Sequence, residues 1–227
     1  MASETVENYL KAIYTLSGEA RERGGDPQAA VGRLAAILGV TAGTVTSMVK
    51  KLTAAKLCRA ERYGGVSLTA RGERAALGVL RRHRLIETFL VETLKLDWSE
   101  VHDEAERLEH AVSDRLLERI DEFLGRPGVD PHGDPIPDRD GTVRPPRLHC
   151  LRGCKAGSMV RIARITDQDG AFLKFIDRHG LRPGARVTVH GVDAQAEAIT
   201  LHPVRHPPVS LSLAAAAKVM VEMVEGR

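Results

Sequence analysis

The period of the apolar residues changes partway along this 227-residue chain. Up to about residue 124 the apolar positions recur at the 3.6-residue spacing of helices; beyond Leu148 they alternate, as in Met159-Val160-Arg161-Ile162, Ala185-Arg186-Val187-Thr188-Val189 and Ala198-Ile199-Thr200-Leu201. Between the two regimes lies a stretch containing Pro127, Pro131, Pro135, Pro137, Pro145 and Pro146, which reads as too polar for a core and so as a linker or an extended wrapping segment. The expected architecture is therefore mainly α with a C-terminal β domain. Its short strands and Gly/Pro turns suit a small barrel of the SH3 kind.

The helical part has punctuation. Val6, Tyr9, Leu10, Ile13 and Tyr14 share one helix face with Ser3 as a cap, and a Gly/charged loop is expected from Gly18 to Pro27. Val31, Leu34, Ala35 and Leu38 mark a second helix that stops at Gly39. Thr41 caps a third, Ala42 to Ala55, with Val45, Met48, Val49 and Leu52 inward. Two short runs around Gly64-Gly65 read as a hairpin, after which Thr69 caps a helix reaching about Leu94. A last long helix is expected from Ser99 to Leu124.

Charge divides this part further. Residues 50–74 carry seven Lys/Arg against Glu61 and Glu73, whereas residues 99–124 carry nine acids against three Arg. The first segment suits a polyanion and the second suits cations, although solvated helix faces alone would show the same bias. The helix, tight turn and helix over residues 31–55 form a helix-turn-helix, in which the second helix enters the DNA major groove. Its first turn presents Thr41, Gly43, Thr44, Thr46 and Ser47, small and hydroxyl-bearing side chains that can approach base edges closely. Lys50 and Lys51 supply phosphate neutralisation, and Arg62 and Tyr63 at the hairpin tip form a wing.

The acidic helix places Glu106, Glu109 and His110 at i, i+3, i+4, and His102 one turn before Glu106; the preceding helix carries His83 and Glu87 at i, i+4. Crowded carboxylates repel unless a cation is present. Oxygen and nitrogen donors without a thiolate suit Mn²⁺ or Fe²⁺, and by raw affinity Zn²⁺ or Co²⁺. An acidic solvated helix with two incidental His is the competing reading. A metallohydrolase would need a nucleophile or base motif, and no H-E-x-x-H is present. Three Cys (Cys58, Cys150, Cys154), no apolar N-terminal region and no long apolar run lead to the expectation of a cytoplasmic protein with reduced thiols.

Several motifs together carry a family resemblance: Glu7-Asn8-Tyr9-Leu10, Val45-Thr46-Ser47-Met48-Val49, Leu68-Thr69-Ala70-Arg71-Gly72, Arg82-His83-Arg84-Leu85, Val101-His102-Asp103-Glu104-Ala105, Leu108-Glu109-His110 and Pro131-His132-Gly133-Asp134-Pro135-Ile136-Pro137. Nearly full length, the chain resembles the diphtheria-toxin-repressor family of metal-dependent transcriptional regulators, which includes manganese transport regulators. The resemblance implies a winged helix-turn-helix over residues 1–72, a helical dimerisation and metal-binding domain over 73–140, a linker at 141–150 and an SH3-like (FeoA-like) domain over 151–227. It implies a homodimer that binds a palindromic double-stranded DNA operator when metal is loaded, represses metal-uptake genes, and has no enzymatic activity or membrane partner.

The resemblance also implies a primary metal site from Asn8, Glu106, Glu109 and His110 and a second from His83, Glu87 and His102, to which Gln168 of the β domain is the best-registered extra donor. Iron-sensing members carry Cys in place of Glu106, so the harder carboxylate implies Mn²⁺, with Fe²⁺ the alternative and Zn²⁺, Cd²⁺ or Co²⁺ substituting in vitro. Asn8 departs from the Asp of manganese members and the Met of iron members. Lys11 stands where some manganese members place a bridging Glu.

Overall fold

The computed structural model describes residues 3–22, 24–61, 65–144 and 146–224, and divides into two compact units, residues 1–82 with 137–142 and residues 83–136 with 143–227.

The first unit begins with helix α1 (Glu4–Glu22), which continues through Gly18 into the segment expected to be loop. Helices α2 (Val31–Leu38) and α3 (Ala42–Ala54) follow, bent 106° apart, within the range of helix-turn-helix motifs. Gly39 makes the turn: it takes φ 64°, a left-handed conformation cheap for glycine, and closes α2 onto the Ala35 carbonyl. Thr41 then accepts the Thr44 N–H at 3.2 Å and caps α3. Strands β1 (Cys58–Ala60) and β2 (Val66–Leu68) pair antiparallel, Arg59 opposite Ser67, and Ala29 makes an isolated antiparallel bridge to Val66. Leu10, Ile13, Leu16, Leu34, Val45 and Leu52 fill the core beneath them. Thr69 caps helix α4 (Ala70–Glu92) by accepting the Gly72 N–H, and the unit boundary falls within this helix after Arg82.

In the second unit the helix expected from Ser99 to Leu124 is two helices, α5 (Val101–Leu108) and α6 (Asp114–Phe123). The break has a local cause. Ser113 adopts an extended conformation and its hydroxyl accepts the Leu116 N–H, so it starts a new helix rather than continuing the old one. The proline-rich stretch is not a free linker. Asp130, His132, Asp134 and Ile136 are buried, and the backbone of the tight turn is satisfied from within: Asp130 Oδ1 accepts the N–H groups of His132 and Asp134, both at 2.9 Å.

The β domain is a six-stranded antiparallel sheet, ordered β3-β8-β4-β5-β6-β7, from β3 (His149–Cys150), β4 (Met159–Ile165), β5 (Arg186–Asp193), β6 (Ala198–Pro203), β7 (Val209–Ser212) and β8 (Val219–Met223). Helix α7 (Gly170–Arg178) and the short α8 (Leu213–Ala216) complete it, giving the SH3-like domain expected from the alternating pattern. Its core includes Val160, Ile162, Leu173, Ile199 and Val221, and Trp98 from the segment before α5 is buried in the same cluster. The Ile165 N–H donates to the His132 carbonyl at 2.8 Å, so the proline-rich turn lies directly on β4.

That contact fixes Gly133. It holds φ 88°, and a Cβ there would stand 1.9 Å from the Ala163 carbonyl oxygen. Gly133→Ala is expected to cost about 2 kcal/mol or more, from strain and forced separation. Gly128→Ala, where a Cβ would meet nothing within 4 Å, is the control. Thermal denaturation of the two variants side by side checks the difference; equal melting points would show that the turn yields.

Candidate metal centre and nucleic-acid interface

The metal centre is built from the bottom of α4 upward. His83 and Glu87 are one turn apart on α4, buried, and both aim at α5. His83 Nε2 lies 3.0 Å from Glu87 Oε1 and 3.1 Å from His102 Nδ1, and His102 Nδ1 lies 3.3 Å from the same Glu87 oxygen. Three ligand-type atoms from two helices thus form a small triangle, and the group meets the spacing of a cation site. His102 is half-buried and gives the triangle its exposed side, whereas Glu87 is fully enclosed.

A buried carboxylate has to be compensated. Burial works against the Glu87 charge, but hydrogen bonds from His102 and His83 outweigh it and hold the carboxyl far below the usual carboxylate range. Around the triangle sits a second layer. The other ring nitrogen of His83, Nδ1, meets Glu109 Oε2 at 2.6 Å, the arrangement in which a carboxylate orients a metal-binding imidazole. Glu109 Oε1 in turn lies 3.3 Å from His110 Nε2, and His102 Nε2 lies 3.6 Å from Glu106 Oε1.

The expected residues are therefore distributed as follows. His83, Glu87 and His102 come together. Glu109 is buried, and its two oxygens link His83 to His110, while Glu106 is an exposed neighbour of His102. Glu106 lies on α5, but Glu109 and His110 lie in the turn after it. Among the described residues, Glu106, Glu109 and His110 do not form one of the compact three-ligand groups. Asn8 sits half-buried on α1 in the first unit. Gln168 donates to Asp134 Oδ2 at 3.3 Å, so it faces the proline-rich turn and not the triangle. The Cys residues are free and join no such group among the described residues.

The sequence reading missed Asp130 and His132, which form a compact group with Glu87. The only available signal was the spacing Asp130-x-His132-x-Asp134, hidden by the surrounding prolines.

On α3 the proposed reading residues Thr41, Gly43, Thr44, Thr46, Ser47, Lys50 and Lys51 are all exposed, opposite the buried Val45, Val49 and Leu52. Thr46 Oγ1 donates to the Ala42 carbonyl at 2.8 Å. Arg62 and Tyr63, expected at the wing tip, lie outside the described residues.

A DNA-reading helix with an exposed hydroxyl and lysine face, a helical domain with a carboxylate/imidazole cluster, and an SH3-like domain together define the class of metal-dependent winged-helix regulators. Comparison with known proteins makes the assignment specific. Residues 1–66 match the iron-dependent repressor N-terminal DNA-binding domain, residues 69–138 the iron-dependent repressor metal-binding and dimerisation domain, and residues 149–223 the FeoA domain. The iron-dependent repressor IdeR of Mycobacterium bovis is 33% identical over 97% of this chain and 98% of the relative. The diphtheria toxin repressor of Corynebacterium glutamicum is 30% identical over 98% of both. A manganese-dependent transcriptional repressor solved in complex with manganese superposes with a TM-score of 0.87 at 40% identity, covering 96% of this chain and all of the other. The chain belongs to the iron-dependent repressor family, that of the diphtheria toxin repressor, and is a metal-dependent DNA-binding repressor. No single helix among the described residues is long and apolar enough to cross a membrane.

The His83 imidazole touches two buried carboxylates, so its removal takes one compensating contact from each. His83→Ala is expected to destabilise the metal-free protein by about 3 kcal/mol, the order found when one member of a buried polar pair is deleted. Denaturant unfolding in the presence of chelator checks this; an unchanged midpoint would mean that Glu87 and Glu109 are compensated elsewhere.

Proposed function

We propose that this protein is a Mn²⁺-activated repressor that binds, as a homodimer in the cytoplasm, a palindromic operator controlling metal-uptake genes. The observation that carries the metal reading is the triangle of His83 Nε2, Glu87 Oε1 and His102 Nδ1, three donors within 3.0–3.3 Å of one another and backed by Glu109. Its oxygen and nitrogen donors, with no thiolate, favour hard to borderline divalent ions. Manganese is further supported by the carboxylate at Glu106 and by similar solved proteins described as manganese-dependent, among them a manganese regulator 34% identical to this chain. Fe²⁺ is the second reading, favoured by relatives described as iron-dependent.

In this proposal Asn8, Glu106, Glu109 and His110 supply the regulatory donors. Asn8 belongs to the reading domain and the other three to the helical domain, so shared chelation would set the separation of the two recognition helices in the dimer. A two-fold dimer reads half-sites at fixed spacing, and holding that spacing raises affinity. A 100-fold preference for the DNA-competent arrangement corresponds to roughly 2.7 kcal/mol of coupling. Glu109 would transmit between the donor sets, since one oxygen faces His83 and the other His110.

Fluorescence anisotropy of operator DNA, titrated with protein in Mn²⁺, Fe²⁺, Zn²⁺ or chelator, tests the reading. Glu106→Ala and His110→Ala should each abolish the metal-stimulated increase in affinity while leaving the helical circular dichroism intact. Normal Mn²⁺ stimulation in both variants would place the regulatory site elsewhere.

Lys50, exposed on α3, is expected to neutralise one phosphate. Lys50→Ala should then reduce the slope of log affinity against log salt by about 1. An unchanged slope would remove that lysine from the interface.

A further inference from the structure

Four consecutive residues of α4, Arg81 to Arg84, leave the helix in different directions, because each step along a helix turns the side chain by about 100°. Arg81 donates to the Pro137 carbonyl at 2.9 Å, His83 Nδ1 meets Glu109 Oε2 at 2.6 Å, and Arg84 donates to the Pro135 carbonyl at 2.6 Å. Arg82 reaches α1: its Nη2 donates to Glu7 Oε1 at 3.3 Å, 75 residues earlier in the chain. Metal chelation as proposed employs neither Arg82 nor Glu7.

This ion pair is largely withdrawn from water. The Arg82 and Glu7 side chains are 18% and 15% exposed, so salt screens their attraction less than that of a surface pair. Withdrawal also costs desolvation, and such a pair adds less to stability than its charges suggest. What it supplies is direction. Tyr9, Leu10, Ile13 and Leu16 of α1 share an apolar core with Ala76 of α4, and apolar packing brings two helices together without a preferred orientation of donor and acceptor. A charged hydrogen bond between them selects one rotation and one sliding position.

The location of the pair gives that register a use. Glu7 directly precedes Asn8, and Arg82 directly precedes His83. Neighbouring residues on a helix are rigidly related, about 1.5 Å apart along the axis, so holding Glu7 against Arg82 holds the turn that carries Asn8 against α4. Asn8 offers a neutral amide oxygen, and affinity for a divalent ion falls as charged ligands are replaced by neutral ones. A weak donor contributes most when it is ordered before the ion arrives, since ordering it on binding subtracts from affinity.

We propose that Glu7 and Arg82 are positioning residues for metal sensing: their ion pair sets the α1 turn bearing Asn8 in register with α4, so that the amide donor meets a cation without prior rearrangement. Neither residue touches the ion. This inference rests on the reading of Asn8 as a regulatory donor, and the experiment separates the two.

Glu7→Gln and Arg82→Gln each remove one charge. The measurement is the Mn²⁺ concentration that gives half-maximal operator binding by the full-length protein, read by fluorescence anisotropy, together with the metal-free melting temperature. Each substitution is expected to raise that concentration about tenfold, the low end of what loss of a residue orienting a metal ligand costs, with operator binding retained at saturating Mn²⁺. Arg82→Lys keeps the charge but gives up the planar fork; it guards against a folding defect and should shift the midpoint in the same direction by less. In an Asn8→Ala background Arg82→Gln should add no further shift, because the donor it positions is gone. A wild-type midpoint in both Gln variants, a lowered melting temperature with the Mn²⁺ response unmoved, or additive shifts in Asn8→Ala/Arg82→Gln would each overturn the proposal and leave an ion pair that only stabilises the first unit. A wild-type midpoint in Asn8→Ala itself would remove Asn8 from the regulatory donors and this role with it. If the Asn8→Ala midpoint shifts and the Gln variants stay at the wild-type value, the positioning role fails and the regulatory reading stands.

Discussion

The buried carboxylate of Glu87 is the constraint around which the second unit is arranged. A charge with no solvent exposure costs several kcal/mol unless its lone pairs are used, and the chain spends residues from α4, α5 and the proline-rich turn on that single group. His83 and His102 compensate one oxygen through hydrogen bonds, strongly enough to overcome burial. The other oxygen faces Asp130 and His132, which add negative charge and a lone pair rather than relieving it. An arrangement that is half satisfied is a poor way to stabilise a core. It is a reasonable way to build a receptor for a cation, because the deficit disappears only when the missing charge arrives.

Glu109 shows how the end of α5 is used. It keeps helical dihedrals, φ −58° and ψ −27°, and its N–H donates to the Ala105 carbonyl. It is buried, and its two oxygens reach His83 and His110. The chain leaves the helix only beyond it, and Ser113 then caps α6.

Much of this was legible in the residues. Helical spacing, Gly39 at a left-handed turn and Thr41 as a cap define α2 and α3, because each reports local chemistry that tertiary packing has no reason to override. The i, i+4 pair of His83 and Glu87 was equally readable, since a helix places such residues on one face. The break before Ser113 was not. The segment has helical periodicity on both sides, and a Ser-Asp cap signal is weak beside it. Of the two readings of the proline-rich stretch, linker or wrapping segment, the packing on β4 fits the second, and only its supposed exclusion from a core fails. Polarity usually marks solvent, but Asp130 satisfies the backbone N–H groups of its own turn, and this lets the turn's backbone enter the interior. The contribution of Gln168 turned on a side-chain direction, toward Asp134, that one-dimensional register cannot supply.

The β domain is attached through the same turn. The Ile165 N–H bonds the His132 carbonyl, Gly133 packs against the Ala163 carbonyl too closely for any Cβ, and Asp134 is shared by Arg84 of α4 and Arg164 of β4. Any displacement of the turn must therefore move β4 or strain these contacts, and close-packed structure transmits such shifts instead of absorbing them. Within this unit the turn and β4 are placed together, and whatever shifts one is felt by the other.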